Sequence, residues 1–332
     1  MIDLVFARNP QEAERLREKH LSIVGCGSGG SALALMAARS GIGKLTLIDP
    51  ETLALENVGR HMLSRGDVGK PKAQALREQI LAVNPRCEVE ARHERFHDNM
   101  FQRVPFPHLN FDVCSKGFAF PGPPLQYVGI KKSVRANPNG KPDLIASCAD
   151  SFACESMIND YSLRENVPAI YGGCWGEASV GEILYVVPGR TPCYECFARF
   201  RRDQVEIPDD SRKYTDPEFD ATKVPGQAGL WANILIITGV MFQLVLALLD
   251  PESDRTALID YEHTLSLVNV SKYDAVLQPL AVSFGIVKKG CNICSSSVEL
   301  HSSAELLEIA RSIEAVPVGD EPSETIDVPA LE

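Results

Sequence analysis

Positive charge is scarce in this chain of 332 residues. Lysine and arginine together number 33 against 44 aspartates and glutamates, which leaves a net charge of −11. Affinity for a nucleic-acid backbone depends on clustered lysine and arginine that displace counterions. The sequence has no basic stripe, so we expect no nucleic-acid partner, and a basic protein surface suits this chain better.

An apolar signal segment and internal repeats are also missing. Ten cysteines without such a segment predict a cytoplasmic protein, because a reducing cytosol favours metal ligands and reactive thiols over disulfides. One apolar run, 228–249, is about as long as a membrane span. Glycines and polar residues interrupt it and no basic cluster flanks it, so we expect a buried core or subunit-interface helix and no membrane association.

Strand-like and helix-like segments alternate along most of the chain. A polar extension, 1–20, with a short charged helix at 11–19, precedes them. The predicted strands are 21–24, 44–48, 88–91, 144–147 and 168–171, and the main helices are 31–39, 71–83 and 152–165. This alternation predicts an α/β fold with a doubly wound, Rossmann-like, mostly parallel sheet. A strand at 181–187 has no helix after it, so antiparallel strands are expected in the C-terminal half.

Two segments depart from this rhythm. The stretch 97–142 contains seven prolines and is predicted to be a loop-rich insertion, either for partner recognition or as a surface elaboration. The tail, 316–332, is acidic and contains proline, which predicts disorder.

A glycine-rich turn follows the first predicted strand. Gly25, Gly27 and Gly30 have the spacing that lets a backbone approach phosphate at the start of a helix. Asp49, at the end of the second strand, is placed to accept hydrogen bonds from a ribose. Together they predict an adenine nucleotide site, although a tight turn that packs helix on strand has the same glycines.

Polar and cationic residues follow Asp49. Asn57, Arg60 and Lys72 lie in the next 23 positions. Hydride transfer to a nicotinamide needs no such cations, whereas attack of a carboxylate on the α-phosphate of ATP needs positive groups near the phosphates. The pattern therefore favours phosphate chemistry over a dehydrogenase.

In this combination the sequence resembles the ubiquitin-activating-enzyme-like adenylyltransferases of the HesA/MoeB/ThiF group. Bacterial members of that group include the thiamine and molybdopterin sulfur-carrier activators. The resemblance implies a ThiF-type adenylation domain over 21–315, with 197–229 as a crossover loop over the tail of the carrier. The matching motifs are Gly25-x-Gly27-x-x-Gly30, the strand at 41–49, Asn57-x-x-Arg60, Gly69-Lys70-Pro71-Lys72, Asn84-Pro85 and the segment 145–150.

The resemblance also implies roles for single residues. Asp49 would bind the ribose of ATP, while Asn57, Arg60 and Lys72 would hold the triphosphate. Asp150, after a predicted strand, would coordinate Mg²⁺, which suits a carboxylate at the end of a parallel strand. An alternative role for Asp150 is to cap the following helix.

The C-terminal half contains two CxxC pairs. Four thiolates suit a closed, tetrahedral, structural Zn²⁺ site, and both pairs match the zinc ligands of the family. A single pair could instead be redox-active. The zinc would tie the C-terminal segment to the body of the fold and stabilise it. The predicted ligands are Cys193, Cys196, Cys291 and Cys294.

The chain departs from the family where an acyl group moves to sulfur. Many activating enzymes have a cysteine in the loop after the first CxxC, but 197–231 contains none. Cys174, beside two glycines after a predicted strand, is the best of the remaining thiols, and buried filler is the alternative. The other thiols considered are Cys114, Cys148 and Cys154.

Two more positions differ from the family. An arginine from the partner subunit reaches the γ-phosphate in relatives; Arg8 is the candidate here, with Arg15 and Arg17 as alternatives, although the sequence around Arg8 does not match. This mismatch fits a chain that is part of a longer protein. Ser151 stands where relatives often have asparagine.

These observations predict ATP- and Mg²⁺-dependent adenylylation of the C-terminal carboxylate of a ubiquitin-like or sulfur-carrier protein. The insertion and the missing loop cysteine favour a bacterial ubiquitin-like conjugation system, with a conjugating enzyme as a further partner and a homodimer as the assembly. The alternatives are an adenylylating dehydratase or cyclase that acts on a tRNA base or a small amide, a non-catalytic subunit that binds a ubiquitin-like protein, and a nicotinamide oxidoreductase.

Overall fold

One twisted sheet organises the chain. The computed structural model describes residues 4–97, 100, 140–175, 178–198, 229–273, 279–284, 291 and 293–294. Eight strands lie in the order β3-β2-β1-β4-β5-β6-β7-β8. The pairs from β3 to β5 are parallel, and those from β5 to β8 are antiparallel. The strands are β1 (His20–Val24), β2 (Lys44–Ile48), β3 (Glu88–Arg92), β4 (Leu144–Ser147), β5 (Ala169–Trp175), β6 (Val180–Val186), β7 (Leu265–Tyr273) and β8 (Pro279–Phe284).

Helices cover both faces of the sheet. On one face α2, α3 and α5 share a core with the alternate residues of the strands, and on the other α4 packs against β4 and β5. The helices are α1 (Pro10–Leu16), α2 (Ser28–Ser40), α3 (Lys72–Val83), α4 (Phe152–Glu165) and α5 (Trp231–Leu249). This arrangement confirms the predicted doubly wound α/β fold with added antiparallel strands.

Helix α5 is the apolar run that has the length of a membrane span. By length and composition it would qualify as one, but it packs on α2 and on β4 to β7, and Ile237, Met241 and Val245 are among its buried core residues. Helix α5 therefore packs in the core, one of its two predicted settings, and a subunit interface on this helix stays a prediction.

Strand β5 is longer than predicted. Glycine in sequence reads as a strand end, yet Gly172, Gly173 and Cys174 all lie within β5, where Cys174 pairs with Gly181 of β6. The reason is close helix packing: a Cβ on Gly172 would lie 2.5 Å from the sulfur of Met241. Placing Cys174 after the strand was therefore wrong.

The N-terminal extension is fixed to the far end of α5. Helix α1 is shorter than predicted and ends at Leu16. Arg15 pairs with Asp250 at 2.6 Å, and Arg255 pairs with Glu12 at 2.7 Å. Both ion pairs hold this extension against the segment that follows α5.

Other predicted segments lie wholly or largely outside the described residues. These are the insertion 97–142, the crossover loop 197–229, the tail 316–332 and Cys114. Their predicted roles stay predictions, as does the division into domains.

The contact between α5 and the antiparallel strands predicts a stability effect. A Cβ on Gly181 would lie 2.4 Å from a methyl of Ile237, whereas one on Gly239 in α5 would meet nothing within 4 Å. We expect Gly181→Ala to lower the free energy of unfolding by about 1–3 kcal/mol through overpacking. Gly239→Ala should raise it by about 0.5–1 kcal/mol through helix propensity. Urea denaturation would measure both, and equal effects would contradict the packing argument.

Candidate active site

The glycine turn, Asp49 and Asp150 follow the carboxyl ends of β1, β2 and β4, the region that we call the crevice. The neighbouring strands β1 and β4 lead to helices on opposite faces, β1 to α2 and β4 to α4. In open α/β sheets the ligand crevice lies at such a switch point. The glycine-rich turn leaves β1 at this point, and Asp150 follows β4.

The glycines of the turn have distinct roles. Gly25 has φ +89°, and a Cβ there would lie 2.6 Å from the carbonyl oxygen of Cys148. A Cβ on Gly30 would lie 1.8 Å from the carbonyl oxygen of Gly25. Gly27, just before α2, is different, since its Cβ would meet nothing within 4 Å. Gly25 and Gly30 thus shape the turn, and Gly27 leaves open space at a helix N-terminus, where an anion is favoured.

Asp49 fastens this turn to the end of β2. One carboxylate oxygen accepts the Cys26 N–H at 2.6 Å, and the other accepts the Glu51 N–H at 2.7 Å. Burial raises the pKa of Asp49, while Lys72 and the two N–H groups oppose the shift. A carboxylate has about four acceptor positions, so two remain for the ribose hydroxyls of the predicted nucleotide.

Lys72 lies at the start of α3, next to Asp49. It is only 5% exposed, and its ammonium group forms an ion pair with Glu51. Backbone hydrogen bonds join the two segments, including Lys72 N–H to the Glu51 carbonyl at 3.0 Å. The structure therefore brings Lys72 to the predicted site and gives it a partner that the sequence did not indicate.

Asn57 and Arg60 belong to a 3-10 helix, Leu55–Arg60. The side-chain oxygen of Asn57 accepts the Ala54 N–H at 3.2 Å and closes this turn. The guanidinium of Arg60 lies 3.7 Å from where a Cβ on Gly229 would be, and its charge acts on Cys174. Arg60 thus faces the β5 side of the crevice.

Asp150 is exposed at the end of β4. Ser151 is the N-cap of α4, because its hydroxyl accepts the Cys154 N–H at 3.4 Å. The alternative role of Asp150 as the helix cap is therefore wrong. Its role in binding Mg²⁺ stays a prediction.

The predicted thiol and the predicted arginines have different positions. Cys174 is half-buried, and burial raises its pKa to about 11 despite the charge of Arg60. Arg8 is exposed and precedes α1, which contacts α2 at Gly41. The 13 residues of α2 put that end roughly 20 Å from the glycine turn, and the role of Arg8 stays a prediction. Arg15 is held by Asp250, and Arg17 by Glu14 at 2.9 Å.

Four cysteines lie close together next to α4. Their sulfur atoms all lie within 4.8 Å of one another. Three Sγ–Sγ distances are 3.9, 3.9 and 3.7 Å. Four Zn–S bonds of about 2.3 Å in a tetrahedron place the sulfurs about 3.8 Å apart, so the donor set and spacing fit zinc. The cluster consists of Cys193, Cys196, Cys291 and Cys294.

The residues between Cys193 and Cys196 anchor this cluster to α4. The Tyr194 hydroxyl donates to Glu155, and its backbone N–H donates to Asn159 at 2.9 Å. Its ring stacks on Tyr171 of β5 at a centroid distance of 4.7 Å. The cysteine cluster is therefore joined to the helix and the strand that border the crevice.

The site combines a glycine turn, a strand-end carboxylate and nearby cations at the switch point of a Rossmann-like sheet. These features are typical of a nucleotide-binding α/β protein. The ThiF family model matches residues 4–279, and the chain belongs to the ThiF family. The sequence predicted this membership.

Relatives are similar to the chain in sequence, and solved structures are similar to it in fold. The chain is 31% identical over 185 residues to ubiquitin-like modifier-activating enzyme 5 of Caenorhabditis elegans. The aligned residues make up 56% of this chain and 39% of that protein. The same enzyme of Dictyostelium discoideum is 26% identical over 248 residues, or 75% and 58% of the two chains. The chain thus spans less than two thirds of either relative. The crystal structure of E. coli MccB with ATP has the same fold, with a TM-score of 0.57 and 19% identity over 88% of this chain and 74% of that one.

Sequence reasoning missed several residues that support the site. Glu51 pairs with Lys72, and Tyr194 ties the cysteines to α4. His61 holds the glycine turn through the Cys26 carbonyl at 2.7 Å. The sequence contained one indication of His61: it directly follows Arg60, in the segment that holds the predicted phosphate-binding residues.

The glycine turn predicts separate effects on folding and binding. A Cβ on Gly27 fits the protein but fills the open space where phosphate would approach. We expect Gly27→Ala to change the melting temperature by less than about 2 °C and to weaken Mg-ATP binding at least about tenfold. Gly30→Ala should lower the melting temperature itself. Calorimetry and thermal melts would test this, and unchanged affinity in Gly27→Ala would exclude the turn as the phosphate site.

Proposed function

We propose that this chain uses ATP and Mg²⁺ to adenylylate the C-terminal carboxylate of a ubiquitin-like or sulfur-carrier protein. The observation that supports this most is the convergence of the glycine turn, Asp49 and Lys72 at one crevice, with Asp150 at the end of the adjacent strand. Membership of the ThiF family and the relatives named as activating enzymes support the same activity.

The step needs charge stabilisation rather than a base. A carboxylate oxygen of the carrier attacks the α-phosphorus, the bond to the bridging oxygen breaks, and pyrophosphate leaves. The nucleophile is already ionised at neutral pH. Positioning of the two reactants and stabilisation of the phosphate charge therefore account for the rate.

The described residues supply that stabilisation from two sides. Lys72 lies on the β2 side of the turn and Arg60 on the β5 side, while the N-terminus of α2 offers N–H groups between them. Asn57 would add a contact to the triphosphate. Asp150 would hold Mg²⁺, which neutralises phosphate charge when bound.

A zinc ion in the cysteine cluster would stabilise the fold without entering the reaction. The cluster is mostly buried and has four protein ligands, which is the pattern of a structural site. Its place beside α4 supports a role in holding the C-terminal segment.

The partners follow from the same proposal. We expect a small carrier with an accessible C-terminus, a conjugating enzyme downstream if the system is a bacterial ubiquitin-like pathway, a homodimer, and a cytoplasmic location. In such a dimer Arg8 would come from the partner subunit. Cys174 is the thiol to test as an acyl acceptor, although burial raises its pKa to about 11 and so disfavours the thiolate.

Exchange of radioactive pyrophosphate into ATP would test the activity. We expect exchange only when a carrier with a free C-terminus is present, and a loss of at least about 100-fold in Asp150→Ala, as for other groups that stabilise transition-state charge. Asp143→Asn is the matched control, because Asp143 precedes the same strand at its opposite end and accepts the His20 N–H, which asparagine can also do.

The results separate the alternatives. Exchange that survives in Asp150→Ala would exclude its metal role. Stabilisation by NAD but not by Mg-ATP would favour an oxidoreductase, and Mg-ATP binding without any exchange would favour a non-catalytic subunit.

Metal removal gives an independent prediction. The purified protein should contain one zinc per chain, and a strong chelator or Cys193→Ser should lower the melting temperature by several degrees, since metal binding contributes to folding. Cys87→Ser is the control, because Cys87 is a buried cysteine outside the cluster. Full metal content in Cys193→Ser would contradict the site.

A further inference from the structure

His61 is a buried histidine whose two ring nitrogens are both used. Its Nε2 lies 2.7 Å from the carbonyl oxygen of Cys26, and its Nδ1 lies 3.0 Å from the backbone nitrogen of Leu63. A carbonyl only accepts and a backbone N–H only donates. Both contacts are satisfied only by the neutral ring that carries its proton on Nε2.

This contact fixes a peptide of the glycine turn. Asp49 holds the N–H of Cys26 and His61 holds its carbonyl, so side chains clamp both backbone groups of the residue. In a trans peptide the C=O and the next N–H point in opposite directions. Holding the Cys26 carbonyl on His61 therefore turns the Gly27 N–H away from the buried ring. Gly27 is the glycine whose Cβ position is open.

We propose that His61, in its neutral Nε2–H form, is a positioning residue that aims the Gly27 N–H at the nucleotide phosphates. The inference rests on the proposed nucleotide-dependent activity. Protonation of His61 would place an Nδ1–H against the Leu63 N–H, so two donors would face each other and the clamp would open.

The charges around the ring favour the neutral form. Burial lowers the pKa of His61, the positive charge of Lys72 lowers it further, and the Cys26 carbonyl opposes the shift. Glu51 pairs with that lysine, and Asp49 lies on the other side of Cys26.

This environment sets the sign of the pH dependence. Because the folded pKa is depressed, an unfolded chain binds a proton near pH 6.5 before the folded one does. The clamp is therefore fully formed above that pH. It is lost as the pH falls through the lower pKa of the folded state.

Three variants test this inference by Mg-ATP affinity at pH 7.5. His61→Ala should weaken binding about tenfold, from loss of a buried hydrogen bond. His61→Gln keeps an amide N–H2 for the Cys26 carbonyl and should stay within about threefold. His20→Ala is the matched control: His20 is also buried, but it contacts Thr46 and Lys141 at the opposite end of β1. It should lower the melting temperature without changing affinity.

The pH profile separates positioning from mere stability. At pH values below about 6.5, the affinity for Mg-ATP should fall more steeply in the wild type than in His61→Gln. Titration of ATP itself affects both proteins equally, so the difference between them reports on His61. Nitrogen-15 NMR of the wild type should show the Nε2–H tautomer at neutral pH, a reading that needs no variant.

Several results would overturn the proposal. These are equal weakening in His61→Ala and His61→Gln, identical pH profiles, or an Nδ1–H or charged ring at neutral pH. If the wild type binds Mg-ATP and His61→Ala binds it equally well, this inference fails and the proposed function stands. If the wild type binds no Mg-ATP, both fail.

Discussion

The hydrogen bond from the Cys26 N–H to the buried carboxylate of Asp49 is the contact on which the crevice depends. At 2.6 Å it joins the end of β1 to the end of β2, and it fixes the point at which the chain turns into α2. A buried carboxylate is costly unless it is hydrogen-bonded and near a positive charge. Asp49 has both, through Cys26, Glu51 and Lys72. The hydrogen bonds that shape the glycine turn are therefore the same ones that stabilise the buried carboxylate of Asp49.

The same contacts limit how the site can attract phosphate. Asp49, Glu51 and Lys72 together carry a formal charge of −1, so Lys72 is already neutralised within its own cluster. In the proposed reaction a triphosphate would depend on the N-terminus of α2 and on Arg60 as well as on Lys72. It would also compete with Glu51 for Lys72. Oriented N–H groups are then as important as cations, which explains why the backbone of the turn is held so firmly.

Local patterns in the sequence predicted most of the fold and part of the site. The turn from Gly25 to Gly30 and the helix 152–165 were predicted because their signals lie within a few residues. The rest depends on residues that meet only after folding. His61 contacts a residue 35 positions away, and Tyr194 one that is 39 away. The position of Cys174 was predicted wrongly because adjacent glycines can either end a strand or let a helix pack closely on it. Only the packing of α5 in the folded protein distinguishes these two cases.

Helix α4 connects the two halves of the crevice. Its first turn follows Asp150 and is capped by Ser151, and one turn later Glu155 accepts the hydroxyl of Tyr194 from the cysteine cluster. An exposed carboxylate at a strand end has no packing of its own to fix it. Its position depends on the helix that follows, and that helix is held from behind by the cysteine segment. The cysteine cluster thus contributes, through Tyr194 and α4, to the position of Asp150.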